Sequence, residues 1–435
     1  KKMFLLNFQL IGLMIFKKFF LSLNFLITFK NNITMASKKV LTIFFLFFLY
    51  NLSAQLDFYN GDYEQIGFSK KRLNTLDSIM HSFVDNKDFS AVQTAIAKNG
   101  KIIHFNSYGY SDIESEKELD ENDIFRIASM TKPIVSVALM QLYDKGFFKL
   151  DDPLYKFIPE FIDVKIKRGK KEKPVKNEIK IIDILRHSAG LEFKGPEAYR
   201  KSIEMNLEQF VKESIKTPLL YQPGTQWRYS YSTDICGYLI EVISKLPLNV
   251  YLKKNIFDPL NMEDTFFELP KNKSQRLTTL YNKDKKGNLN VFDSPENSPF
   301  TKKINLFSGA GGLLSTTHDY LIFCQMLLNG GAYNENIIIK KSTLELMLED
   351  HADGLKYKKL LFGKKRGFGL GFDVVKEENT KFGSKGTYGW GGMFGTYFRI
   401  DPKENMIFIY MTQSFETYKL KLSDQFRKLV YNSIQ

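Results

Sequence analysis

A serine and a lysine three residues apart are the strongest chemical signal in the sequence. Ser129 and Lys132 lie in FRIASMTKP, where the following apolar residues predict a helix and Pro133 suits its first turn. At that spacing both side chains share one helical face. A desolvated lysine amine can accept a serine proton, and a helix N-terminus offers N–H groups to an oxyanion. The pattern indicates a nucleophilic serine with a lysine base, although spacing alone also fits an N-capping serine beside a solvated lysine.

Five stretches in a fixed order favour the catalytic interpretation. Together they resemble the serine β-lactamase and penicillin-binding-protein superfamily, specifically its branch of class C β-lactamases and related carboxylesterases. The resemblance covers about Ala91 to the C-terminus. The stretches are FRIASMTKPIVSVALMQLYDKGFFKLDDPLYKFIPEF from Phe125, ILRHSAGL at 184–191, PGTQWRYSYSTDICGYLIEVIS at 223–244, SGAGGLLSTTHDYLIFCQMLLNGG at 308–331 and YGWGGMFGTYFRIDP at 388–402.

The resemblance implies a role for individual residues. Ser129 matches the acyl-accepting nucleophile, Lys132 its partner base, and Tyr229, in RYSYS, the tyrosine that shares proton transfer with them. Trp390-Gly391-Gly392 matches the edge strand opposite the nucleophile. By the same match, the backbone N–H of Met393 joins that of Ser129 as the oxyanion hole. His187 and the Gly309–Gly312 cluster are interpreted as structural.

Two departures from the β-lactamases bear on the substrate. Tyr231 stands where those enzymes have an asparagine that holds the substrate amide, and Trp390 stands where they have a lysine or histidine. By this match, Tyr231, Trp390, Gly391 and Gly392 are expected to contact the substrate. A missing cation removes a partner for a substrate carboxylate, whereas a tryptophan offers an apolar wall. The Trp-Gly-Gly element resembles that of the esterases in this branch. The resemblance therefore implies an ester-cleaving serine hydrolase that uses a Ser129 acyl-enzyme, needs no metal or organic cofactor and acts on a small-molecule ester or cell-wall-derived substrate.

Three alternatives stay open from the sequence. The first is a β-lactamase or D-alanyl-D-alanine peptidase, and the second is a binding or sensor protein of the same fold without turnover. Nucleic-acid binding is the remotest, because the two lysine-rich segments at 165–180 and 356–366 are interpreted as solvated loops. The first contains no aromatic residue and the second only Tyr357 and Phe362. The oligomeric state is not predicted.

The predicted fold is of the α/β (α+β) class, with an antiparallel sheet built from both chain ends, flanked by helices, and an inserted, mainly helical lobe. Asn99-Gly100 joins two alternating segments, which predicts a β-hairpin over 91–109. Near the C-terminus, two strand patterns and a helical pattern over 419–434 follow. Helices are also predicted over 68–85 and after STT at 315–317. The hydrolase domain is expected to span 66–435.

The first 54 residues do not resemble domain sequence. They contain seven lysines and no acidic residue, so the formal charge of +14 for the 435-residue chain falls to +7 without them. Residues 35–54 have the basic, apolar and small-residue regions of a signal peptide, and residues 1–34 are interpreted as an upstream or non-mature leader. The apolar run is short for a membrane span, so we expect an exported protein, periplasmic or secreted, with no stable membrane span after cleavage.

Export with cleavage after Ala54 predicts a mature chain that begins at Gln55. N-terminal sequencing of the protein recovered from the periplasm or medium checks this expectation. A mature N-terminus well upstream of Gln55, or retention in the cytoplasm, would contradict it.

Overall fold

The computed structural model describes residues 56–169, 171–193, 204–357, 365–378 and 383–435. The predicted leader at 1–34 and signal peptide at 35–54 lie outside the described residues. Within them, no single helix is long and apolar enough to cross a membrane; one bent pair, Ser232–Ser244 with Leu248–Leu260, meets the length and composition criteria together.

Both ends of the described chain contribute to one large sheet, as predicted. Its strands follow the order β1-β3-β2-β19-β18-β17-β16-β15, with β4 paired to β3, and every pairing except the parallel one of β1 with β3 is antiparallel. The strands are β1 (Asp57–Phe58), β2 (Ala91–Lys98), β3 (Lys101–Asp112), β4 (Lys117–Glu118), β15 (Arg366–Phe368), β16 (Asp373–Val375), β17 (Tyr388–Gly392), β18 (Thr396–Asp401) and β19 (Met406–Met411).

Short strand pairs occupy the segment between the two halves of the sheet. They join β5 with β11, β6 with β7, β8 with β14, β9 with β10 and β12 with β13. Their bounds are β5 (Phe125–Arg126), β6 (Lys165–Arg168), β7 (Lys171–Pro174), β8 (Gln226–Trp227), β9 (Leu280–Lys283), β10 (Leu289–Asp293), β11 (Leu314–Ser315), β12 (Ala332–Tyr333), β13 (Asn336–Ile337) and β14 (Lys356–Tyr357).

The α-helices flank the sheet and fill the inserted lobe. Their bounds are α1 (Lys70–Asp85), α2 (Thr131–Asp144), α3 (Ile181–Leu185), α4 (Leu207–Ser214), α5 (Ser232–Ser244), α6 (Leu248–Leu252), α7 (Asp258–Leu260), α8 (Thr317–Leu328), α9 (Lys341–Leu348) and α10 (Leu422–Asn432). The predicted helices at 68–85, after STT and at 419–434 correspond to α1, α8 and α10. The last begins only at Leu422, because Lys421 has a left-handed conformation, with a φ of 50°, that a helix cannot include.

Alternation along β19 shows how the sheet separates two apolar layers. Met406, Phe408 and Tyr410 pack with α1 and α10 on one face, whereas Ile407 and Ile409 belong to the larger core shared with the helical lobe. Successive strand residues point to opposite faces, so an apolar strand of this kind must be covered on both sides. The hairpin of β2 and β3 follows its predicted form, since Asn99 and Gly100 both have positive φ, 53° and 73°.

The lysine-rich segment at 165–180, interpreted as a loop, is in part a hairpin. β6 and β7 pair in regular antiparallel register from Lys165↔Pro174 to Arg168↔Lys171. Lysine-rich composition hid the alternation that a strand normally displays. Residues 358–364 of the second lysine-rich segment lie outside the described residues.

A buried ion-pair network fixes the edge of the sheet near its glycine-rich strand. Asp373 on β16 accepts hydrogen bonds from both terminal nitrogens of Arg399 on β18, and Arg366 on β15 lies 2.6 Å from the same carboxylate. Gly389 on β17 pairs with both Asp373 and Arg399, so the network spans the strand that carries Trp390. Buried charges are stable in this way only when they are paired.

Replacement Asp373→Asn removes the carboxylate that compensates the buried guanidinium of Arg399 and the partly buried one of Arg366. We expect it to lower the free energy of unfolding by about 3–5 kcal/mol, measured by urea denaturation. Glu378→Gln is the matched control, because Glu378 pairs with Lys403 at 2.9 Å in an exposed position and should leave the midpoint unchanged. Equal midpoints for the wild type and Asp373→Asn would contradict this account.

Candidate active site

Ser129 lies in a strained turn that leads into the buried helix α2. The turn is a 3₁₀ segment, Ala128–Met130, and Ala128 has a φ of +45°, a conformation that non-glycine residues rarely adopt. Met130 N–H and Thr396 Oγ1 both donate to the carbonyl of Ile127, at 3.0 and 3.1 Å. These bonds hold the turn in a conformation that costs energy, as is common at functional sites.

The structure brings Ser129, Lys132 and Tyr229 together as the sequence predicted. Tyr229 Oη donates to Ser129 Oγ at 2.6 Å, and Lys132 Nζ lies 3.4 Å from the same oxygen. Lys132 Nζ is also 4.6 Å from the centroid of the Tyr229 ring. The serine hydroxyl therefore has two proton-transfer groups within reach, which is the arrangement of an activated nucleophile.

Two residues that were not predicted hold Lys132 in place. Lys132 is buried, and its Nζ donates to the carbonyl of Ala310 at 2.6 Å. The N–H of Ala310 donates to the buried carboxylate of Asp234 at 3.0 Å, and Ser308 Oγ donates to the same oxygen at 2.7 Å. Asp234 and Ala310 lie inside the quoted stretches, but only the folded chain shows that one residue, Ala310, contacts the carboxylate through its N–H and the amine through its carbonyl.

The glycine cluster beside Ala310 is structural, as the sequence suggested. A Cβ on Gly309 would lie 2.5 Å from the carbonyl of Thr233, and a Cβ on Gly312 would lie 2.9 Å from the carbonyl of Ser308. Glycine lets this segment approach the start of α5 closely enough for Asp234 to bind Ala310.

The Trp390–Gly392 strand, β17, lies against the serine turn. It pairs with both β16 and β18, so the prediction that it is an edge strand is wrong. A Cβ on Gly392 would overlap the carbonyl oxygen of Ile127 and the hydroxyl of Thr396, so β17 can approach the turn only with glycine at this position. Met393 follows directly, at the end of the strand, with its side chain 40% exposed. Gly395 N–H donates to the carbonyl of Gly392 at 3.1 Å and closes the turn after Met393.

An aromatic wall borders the serine on the side of Tyr229. The Tyr229 ring lies 5.6 Å from the rings of both Trp390 and Phe193, and 4.9 Å from that of His187. The Phe368 ring packs against the rings of both His187 and Trp390. Burial, with a smaller effect from Lys132, holds the pKa of His187 well below its ordinary value, so that this imidazole is neutral at pH 7. Phe193 and Phe368 were not predicted, because neither lies in a residue pattern with recognisable chemistry.

The structure does not bring Tyr231 to this group. Tyr231 is buried, its hydroxyl donates to the carbonyl of Ser214 at 3.2 Å, and its ring packs against Phe210. The prediction that it contacts substrate is therefore corrected: this tyrosine points into the helical core. Gly391 lies on β17 between Trp390 and Gly392, and it pairs with Tyr397 of β18.

Comparison with known proteins agrees with this geometry. The family model described as Beta-lactamase matches residues 76–431. The chain belongs to the beta-lactamase family. It is a serine hydrolase with the fold of that family, and the predicted resemblance and fold are confirmed.

Two relatives are similar to this chain over most of its length. Protein Rv1367c of Mycobacterium tuberculosis is 30% identical over 347 residues, which cover 74% of this chain and 86% of that protein. A Salmonella typhimurium protein named "Putative D-alanyl-D-alanine carboxypeptidase" is 29% identical over 80% of this chain and 83% of its own.

Solved structures share the fold over most of the chain. "EstCE1, a hydrolase with promiscuous acyltransferase activity" has a TM-score of 0.71 at 24% identity, covering 83% of this chain and 99% of its own. Simvastatin synthase (LovD) from Aspergillus terreus has a TM-score of 0.71 at 19% identity, covering 84% and 100%.

The close approach of β17 to the serine turn yields a prediction. Gly392→Ala would push the strand away from Ile127, and a displacement of about 1 Å at a catalytic site can cost about 100-fold in rate. We expect this loss in the rate at which a fluorophosphonate modifies Ser129, followed by intact-protein mass spectrometry. Gly311→Ala is the control, because its added methyl would lie 3.7 Å from the nearest backbone atom of Ala128. Labelling of Gly392→Ala at the wild-type rate would contradict the packing argument.

Proposed function

We propose that this serine hydrolase cleaves carboxylic ester bonds through an acyl-enzyme on Ser129. The observation that carries the proposal is the contact of Ser129 Oγ with both Tyr229 Oη and Lys132 Nζ, at 2.6 and 3.4 Å, beside a wall of aromatic rings. A serine held between two proton-transfer groups can attack a carbonyl, and an apolar wall favours an uncharged acyl or alcohol group.

The proposed reaction has two steps. Ser129 Oγ attacks the ester carbonyl carbon while the Lys132–Tyr229 pair accepts the serine proton. The backbone N–H groups of Ser129 and Met393 stabilise the oxyanion, and the pair returns the proton to the oxygen of the departing alcohol. Water then attacks the acyl carbonyl carbon and gives a proton to the same pair. The pair passes this proton to Ser129 Oγ as the bond between Oγ and the acyl carbon breaks, which releases the acid and free Ser129. An alcohol or amine in place of water would give acyl transfer.

Trp390 supports an ester in preference to a carboxylate-bearing β-lactam. Its ring occupies the strand position at which the β-lactamases of the predicted branch carry a cation, and it packs against Tyr229 and Phe368. An indole ring contacts apolar groups well but offers no charge to a carboxylate. Tyr231 does not contribute to this preference, because it lies in the core.

A cell-wall peptidase is the second candidate, and the Salmonella relative favours it, because that protein is named a D-alanyl-D-alanine carboxypeptidase. Export of the present chain is part of both proposals and is supported by the sequence of residues 35–54. A substrate outside the cytoplasm, either a small ester or a cell-wall fragment, would suit an exported hydrolase.

Initial rates on p-nitrophenyl acetate, a chromogenic cephalosporin and a D-alanyl-D-alanine peptide test the proposal on the protein spanning 55–435. We expect ester hydrolysis to dominate and Ser129→Ala to lower it by at least about 1000-fold, because the nucleophile is lost. Dominant turnover of the cephalosporin or peptide would replace the proposed function with one of the alternatives. Binding without turnover of any of the three would favour a sensor.

Two neighbouring tyrosines provide a matched control for the proton-transfer role. Tyr229→Phe removes the hydroxyl that contacts Ser129 Oγ and should lower kcat by about 100-fold or more. Tyr231→Phe removes a hydroxyl that contacts only the Ser214 carbonyl among the described groups and should leave kcat unchanged. Equal rates for the two variants would contradict the role given to Tyr229.

A further inference from the structure

We propose that an exposed apolar surface leading away from Ser129 binds a linear apolar chain of the ester substrate. This surface, the aromatic ledge, consists of Met393, Phe394, Phe415 and Phe292. The inference rests on the proposed function, because it names the substrate class of the same site. The ledge lies around the end of β17 and is distinct from the aromatic wall on the Tyr229 side.

The three aromatic rings of the ledge form a continuous series, and Met393 directly precedes Phe394 in the chain. The Phe394 ring lies 5.2 Å from that of Phe415 in an edge-to-face arrangement, and Phe415 lies 5.0 Å from Phe292 in the same arrangement. Phe292 is 43% exposed and Met393 is 40% exposed, so both ends of the ledge face solvent. Exposed apolar side chains that adjoin one another in this way commonly mark binding surfaces.

The ledge begins beside the serine turn. Met393 is the residue whose N–H is assigned to the oxyanion hole, and Gly392, before it, packs on the carbonyl of Ile127, two residues before Ser129. A substrate whose carbonyl oxygen lies at the Met393 N–H therefore has one end within reach of the Phe394 and Phe415 rings. This continuity with the site identifies the substrate as the occupant.

The outer end of the ledge is fixed to the inner end. Phe292 lies on β10, next to Asp293. Asp293 accepts a hydrogen bond at 2.6 Å from the buried guanidinium of Arg126, which lies three residues before Ser129 in the chain. On the paired strand β9, Tyr281 N–H donates at 3.1 Å to the carbonyl of Gln413, a residue two positions before Phe415 in the chain. The side chain of Gln413 bonds both the N–H and the carbonyl of Arg126, at 3.1 and 3.2 Å.

These bonds make the ledge a preformed surface. A preformed surface binds without the entropy cost of ordering its own side chains. The chemistry of the ledge is aromatic and thioether, and Asp293, the charged group next to Phe292, is neutralised by Arg126. A saturated alkyl chain is the ligand that such a surface recognises by burial of apolar area alone.

Chain-length profiles test the proposal. Rates are measured for p-nitrophenyl esters from acetate to octanoate, with the chain on the acyl side, and for alkyl acetates from ethyl to octyl, with the chain on the alcohol side. We expect kcat/KM to rise by about two- to fourfold per methylene in one series, because each methylene buried against the ledge adds apolar contact. The series that rises identifies the part of the ester that lies on the ledge.

Phe292→Ala should flatten that rise and lower kcat/KM for the octyl substrate by about fivefold to tenfold, while leaving the shortest substrate unchanged. Phe58→Ala is the matched control. Phe58 is also exposed, at 55%, and also packs edge-to-face on another phenylalanine, Phe105. It lies on β1, five strands from β17 and thus about 24 Å away. Identical profiles for the wild type and Phe292→Ala would overturn the ledge.

A second readout separates this proposal from the proposed function. Modification of Ser129 by p-nitrophenyl phosphonates with ethyl or octyl chains is followed by mass spectrometry and requires no turnover. Absence of ester hydrolysis in the wild type would refute the proposed function, while faster octyl labelling that is lost in Phe292→Ala would still support the ledge. Equal octyl-to-ethyl ratios in the wild type and the variant would overturn the ledge even if esters are hydrolysed.

Discussion

The burial of the Lys132 amine is the constraint on which the rest of the active site depends. A buried amine is stable only with hydrogen-bond acceptors around it, and Lys132 finds them in the Ala310 carbonyl and Ser129 Oγ. The backbone of Ala310 is in turn held by Asp234, which accepts a hydrogen bond from the Ala310 N–H. The helical lobe therefore does more than cover the sheet. Its helix α5 and the glycine cluster position the Ala310 carbonyl to accept a hydrogen bond from Lys132 of α2.

A second constraint comes from the sheet, which must reach the serine turn without a side chain in between. Gly392 allows this approach, and Thr396, on the next strand, binds the same Ile127 carbonyl from beside it. The Asp373 network holds β16, β17 and β18 in register just behind the contact. The strained conformation at Ala128 is thus stabilised both by a hydrogen bond within the turn and by contacts with the sheet strands β17 and β18.

Sequence patterns predicted the features that arise from local periodicity and from contiguous motifs. The Asn99-Gly100 hairpin, α1, α8 and the meeting of Ser129, Lys132 and Tyr229 belong to that class. The roles of Asp234 and Ala310 were not predictable, because they depend on a contact between two residues that are 76 positions apart in the chain. Tyr231 was misjudged because a position within a motif does not determine rotamer direction: its ring follows the packing of α4 and α5.

The arrangement separates proton chemistry from substrate selection. The groups that move protons are held by buried contacts in the helical lobe, whereas the groups that would select a substrate, Trp390 on one side and the ledge on the other, are partly exposed on the sheet and its hairpins. An exposed ring can be exchanged at small cost in stability, while a change at Asp234 would leave buried partners unsatisfied. Substrate preference in this fold can therefore change through surface side chains with Ser129, Lys132 and Tyr229 kept in place.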